Sequence, residues 1–144
     1  MNRKFVIIPI IFIIITIVAL GSQSNESDNL DDSSFHVTLA DPKLYKDGVY
    51  SSNFVFEKGD YMFRFVPNGD SPKNLTILLQ GDNFLFSENF KLNGTLHETG
   101  ISEYYTWDYD GEKSIRILEQ QEISILINPN GNVKGSVSVY IDRN

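Results

Sequence analysis

The sequence has no cysteine, only two histidines and two methionines, and a single tryptophan. Without cysteine there is no disulfide scaffold, no thiolate metal site, no cysteine nucleophile and no cysteine-linked lipid anchor. Two histidines leave little from which to build an imidazole metal centre. Bases are also scarce: 12 lysines and arginines face 19 acids, for a net charge of −7. Phosphate binding needs a basic stripe that releases counterions, so nucleic acid is excluded as a partner. No stretch after residue 34 keeps a helical period, and no later apolar run approaches the length of a membrane span. The 144 residues suffice for one domain with one real core.

What is there changes sharply along the chain. Arg3 and Lys4 precede an uncharged run at residues 5–20, eight of whose members are isoleucine. Small residues follow in Ala19-Leu20-Gly21, at the spacing a signal peptidase reads. As a helix the run covers about 24 Å, against a hydrocarbon core of about 30 Å. Residues 1–21 are therefore expected to form a hydrophobic helix, as a cleaved signal peptide or a retained N-terminal anchor. Both readings stay open. Either one keeps Arg3 and Lys4 in the cytoplasm and exports the rest. The expected location is thus secreted, or tethered to the outer face of the cytoplasmic membrane through residues 5–20. Residues 22–34 read SQSNESDNLDDSS, with four acids and one apolar side chain. Such a segment cannot bury enough surface to offset its ordering entropy, so a flexible acidic spacer is expected.

Residues 35–144 alternate with period two, which predicts an all-β domain. Phe35, Val37 and Leu39 share one phase, as do Tyr61, Phe63 and Phe65, and Leu75, Ile77 and Leu79. Ile115 and Ile117, then Ile123, Ile125 and Ile127, and finally Val137, Val139 and Ile141 repeat the pattern. Turn chemistry separates these runs, as Asp47-Gly48, Gly81-Asp82-Asn83, Asn93-Gly94, Asp110-Gly111 and Asn130-Gly131. Eight or nine short strands at such intervals predict an antiparallel β-sandwich, of the GOLD/jelly-roll or immunoglobulin-like kind.

Candidate chemistry is thin. His97-Glu98 opens like a zincin motif, but the second histidine required four residues on is Ile101. His36 alternates with Phe35 and Val37 and is expected to face solvent. Asp108, Asp110 and Glu112 have the acid density of a calcium loop. In an EF-hand register, however, Thr106 and Ile117 would occupy the two essential end positions. A hairpin with a type I′ Asp110-Gly111 turn is the better account of that stretch. No nucleophile elbow occurs, and neither histidine has a serine in catalytic context. Neither catalysis nor a cofactor is expected.

The most distinctive stretch is Tyr104-Tyr105-Thr106-Trp107-Asp108-Tyr109. As a strand it puts Tyr105, Trp107 and Tyr109 on one face. Rings in such a row, with acids beside them, can stack on sugar faces. The same alternation also serves a core, with Trp107 as the sandwich's central aromatic, and the sequence favours that account. Sequons at Asn25, Asn74 and Asn93 mark possible glycosylation sites and agree with export.

The stretch from Phe54 through Gly59-Asp60-Tyr61-Met62-Phe63-Arg64-Phe65 to Leu79 resembles the central hairpin of GOLD-type sandwiches, the lumenal domain of the emp24/gp25L/p24 family. It is also similar to the pre-peptidase C-terminal sandwiches of secreted proteases and to small exported archaeal proteins of unassigned function. The resemblance implies a non-catalytic domain that binds proteins or carbohydrate on a sheet face or loop rim. The p24 proteins follow the sandwich with a coiled coil and a membrane span, whereas this sequence ends at Asn144. Only the domain type carries over. The expected function is an exported interaction module for a protein partner. The alternatives are a carbohydrate-binding module for a cell-surface glycan, or an assembly subunit adding a strand such as residues 137–141 to a neighbour.

Overall fold

The computed structural model describes residues 34–144. The N-terminal hydrophobic helix, nearly all of the acidic spacer and the Asn25 sequon lie outside the described residues. No described helix is long and apolar enough to cross a membrane.

Among the described residues nine strands follow one another: β1 (Phe35–Leu39), β2 (Tyr50–Phe56), β3 (Gly59–Pro67), β4 (Asn74–Gln80), β5 (Leu85–Glu98), β6 (Glu103–Asp110), β7 (Ser114–Ile117), β8 (Gln121–Asn128) and β9 (Val137–Arg143). They form a four-stranded sheet, β1-β9-β3-β7, and a five-stranded sheet, β2-β8-β4-β5-β6. Every pairing is antiparallel. The fold is a β-sandwich.

Alternation is what makes these segments strands. One phase of each run is buried and the other faces out, as in β3, where Tyr61, Phe63 and Phe65 are buried while Asp60, Met62 and Arg64 are exposed. Each such apolar side chain contributes about 1.5–3 kcal/mol on burial. The inner faces meet through aromatic rings. Phe63 lies 5.4 Å from both Phe86 and Phe90, and Phe65 lies 5.1 Å from Tyr109. At the opposite side of the sandwich Phe35 of β1 meets Phe54 of β2 edge to face at 5.9 Å.

The turns divide into those foreseen and those that serve another purpose. Asp47-Gly48 closes a two-residue hairpin in which Lys46 and Val49 exchange backbone hydrogen bonds. Asn130 and Gly131 both take positive φ, at 53° and 94°, the pair of values that a type I′ turn demands. Asp110-Gly111 is not a hairpin turn: it carries the chain from β6 in one sheet to β7 in the other. The stretch resembling a GOLD hairpin is likewise not a hairpin, because β2 and β3 belong to different sheets. Nor is residues 137–141 an available edge, since β9 pairs with β1 on one side and β3 on the other.

Candidate functional site

Strand β5 is 14 residues long, more than twice the usual strand of about 5–6 residues. Its first half pairs with β4 as far as Asn74 opposite Lys91, and there β4 begins. The Leu92 N–H still reaches the Lys73 carbonyl at 2.8 Å, and from Asn93 to Glu98 the only described ladder partner is β6. The β5–β6 hairpin therefore runs about 20 Å past the end of β4, at about 3.3 Å per residue. Its tip is closed by the Thr99 N–H, which donates to the Ser102 carbonyl at 2.9 Å, and by the Thr99 hydroxyl, which accepts from the Ser102 N–H at 3.0 Å. Gly100 at the tip has φ +81°.

One face of this arm carries Leu92, Gly94 and Leu96 opposite Tyr109, Trp107 and Tyr105. The three predicted aromatics do share a face, but they grade from core to solvent. Tyr109 is fully buried, Trp107 half-buried and Tyr105 55% exposed. Tyr109 sits where β6 still covers the sandwich, and its hydroxyl donates to the Pro72 carbonyl. It cannot belong to a sugar platform, and it fills the core position expected for Trp107. The Trp107 ring lies across Gly94, where a Cβ would come within 2.6 Å of it, and also touches Gly69. Tyr105 continues the row, its ring centre 5.6 Å from that of Trp107. Beyond it Leu96 is exposed, and Ile101 at the tip is 99% exposed.

The other face is polar. His97 stacks on Tyr104 and shares a 2.9 Å hydrogen bond with the Thr106 hydroxyl. The Asn93 amide donates to Asp110 at 3.1 Å, and Lys113 pairs with Asp108 at 2.8 Å. Between this face and β3 lies an open groove of about 620 Å³, bordered by Thr95, Thr106, Asp108 and Trp107 on the arm and by Met62 and Arg64 on β3.

The calcium candidates do not converge. Asp108 is held by Lys113, Asp110 by Asn93, and Glu112 accepts from the Ser114 N–H at 3.0 Å. Among the described residues no three histidine, aspartate or glutamate side chains gather as metal ligands. His36, exposed as expected, stacks 4.0 Å from Tyr140 on the outer face of the four-stranded sheet. Asn74 and Asn93 are both exposed, at the start of β4 and on the polar face of the arm.

No family model matches the chain, and no solved structure matches it. One curated relative, a UPF0538 protein of Dictyostelium discoideum, is 45% identical over 47 residues, which is 31% of this chain. The match spans 38% of that relative's own length.

Sequence reasoning missed the arm itself, because Asn93-Gly94 reads as a turn and instead lies inside β5. The reason is steric. Only a residue without a Cβ lets the Trp107 ring lie flat against the strand opposite. A signal was present: Phe86, Phe90, Leu92 and Leu96 stay in one phase across the Asn-Gly pair.

Proposed function

We propose that this chain is an exported, non-catalytic β-sandwich interaction module whose binding element is the β5–β6 arm, and whose partner is a protein surface. One observation carries the reading. The arm leaves the sheet and exposes Leu96 and Tyr105 on one face, Tyr104 on the other and Ile101 at its tip, at 42–99% of their surface. Elsewhere the apolar side chains of comparable size are mostly closed into the sandwich. Tyrosines and large aliphatics on a raised, ordered hairpin are the side chains that dominate protein recognition. The N-terminal segment supplies export, as a cleaved signal or a retained anchor, and where it is retained the acidic spacer sets the domain away from the membrane. The GOLD-like Gly59–Phe65 motif supports the same kind of module.

The test compares the full chain with an Ile101→Ser/Tyr105→Ser variant and a Val66→Ser control. Partners are cross-linked to each in the cells that make it. The arm variant should lose captured partner about tenfold or more, on the scale of removing two interface anchors. Val66, exposed on the outer face of the four-stranded sheet, should be silent. Undiminished capture by the arm variant would end this reading.

A carbohydrate-binding module is the second reading, favoured by the groove between β3 and the arm. Trp107 borders it together with the hydroxyls of Thr95 and Thr106, the carboxylate of Asp108 and the guanidinium of Arg64. In that case Trp107→Ala abolishes glycan binding while the fold survives, and free saccharide displaces whatever the wild-type chain captures.

A further inference from the structure

The two sides of the sandwich treat their strand edges differently. On one side the edge strands are β6 and β7. β6 carries Glu103, Asp108 and Asp110, and β7 is four residues long with Arg116 paired to Asp60 at 2.6 Å. Short length and charge are how native sheets keep their edges from pairing with other chains. On the other side the edges are β1 and β2, brought together by Phe35 and Phe54. Neither strand contains a charged residue or a proline. β2 is the longer, at seven residues. It leaves Tyr50 and Phe54 half-buried on its inner face and Val55 exposed on its outer face. Among the described residues its only ladder partner is β8.

We propose that β2 pairs antiparallel with β2 of a second copy of this chain, joining two five-stranded sheets into one of ten strands across a two-fold axis. The sequence of β2 fixes the register. Pleating requires inner residues to face inner residues, so paired positions must share parity. Among the allowed registers, the one that pairs all seven residues sets Asn53 against Asn53. Tyr50 then faces Phe56, Ser51 faces Val55, and Ser52 faces Phe54. No charge meets its like, and the half-buried rings of one copy are covered by the other. The contact is isologous and therefore closes at two copies. The dimer does not depend on the role assigned to the arm. If both hold, the two arms stand at opposite ends of the joined sheet, nine strand spacings or about 40 Å apart, and binding becomes bivalent.

The absence of native cysteine makes the register directly readable. Asn53→Cys, Ser51→Cys and Val55→Cys are each placed in the full chain as its single thiol and oxidised mildly. Cα atoms opposite each other in an antiparallel pair are about 4.5–5.5 Å apart, within disulfide reach. Asn53→Cys should give a covalent dimer on non-reducing gels. Ser51→Cys alone and Val55→Cys alone should not, while a mixture of those two should. Val55→Lys should shift the chain from dimer to monomer in sedimentation with its β-sheet circular dichroism intact. Folded Asn53→Cys that cross-links no better than Ser51→Cys alone would overturn the proposal, as would a wild-type chain that sediments as a monomer at all concentrations.

Discussion

Tyr109 and Tyr45 both bury a phenol, with opposite consequences. The Tyr109 hydroxyl donates to the Pro72 carbonyl, whereas the Tyr45 hydroxyl has no hydrogen-bond partner among the described residues. Tyr109→Phe leaves a buried carbonyl unpaired and should lower stability by about 1–3 kcal/mol, while Tyr45→Phe loses no bond and should be neutral or stabilising. Urea unfolding of the two variants checks this pair. Burial pushes the phenols of Tyr45, Tyr61 and Tyr109 above the usual value of 10.0, and at Tyr109 the neighbouring Tyr45 adds to the effect. The folded state then resists ionisation that the unfolded chain accepts. Stability is thus fully present below pH 10 and is lost as pH rises beyond it towards the folded values. The unfolding midpoint of Tyr109→Phe should decline less steeply over that alkaline range than that of the wild type. Alternation made these burials legible in advance for Tyr61 and for nearly every isoleucine. It could not separate Trp107 from Tyr109, which share a face and a period. What divides them is where β4 begins, a fact of the neighbouring strand.

Gly94 decides whether the β5–β6 arm can exist as a flat hairpin. A methyl group there would press on the Trp107 ring at 2.6 Å, and the ring already rests against Gly69. Gly94→Ala should therefore push the indole outward, at a cost of about 1–3 kcal/mol. Its emission should shift to the red and acrylamide should quench it more readily than in the wild type. Unchanged emission would mean that the strand, and not the ring, gives way. Elements with unbroken alternation, such as β4, β8 and β9, were legible from sequence to within a residue or two. Local turn chemistry misled where a glycine serves packing. At Asn93-Gly94 it admits a ring, whereas Gly111, at φ +155°, does turn the chain, but from one sheet to the other and not within a hairpin. Gly94 looks like a turn former in one dimension, but unlike Gly131 it has no positive φ and faces a ring.

For the molecule as a whole, two antiparallel sheets around an aromatic core follow from the sequence, because every strand has one apolar face to hide. The order of strands within the sheets does not. Parity assigns a residue to a face and says nothing of which strand lies beside it. That is why β9, the last strand, turns out to be interior, and why the uncharged edge falls to β2. The same order puts the β5–β6 arm and the bare edge at opposite ends of one sheet, β6 and β2. The proposed contact with the partner is the β5–β6 arm. Its most direct test is a photo-activatable amino acid placed singly at Tyr105, at Ile101 and, as controls, at Val66 and Leu118, all exposed. Illumination of cells making the full chain should give discrete protein adducts from positions 101 and 105 and none from 66 or 118. Adducts from the control positions alone, with 101 and 105 silent, would contradict the account.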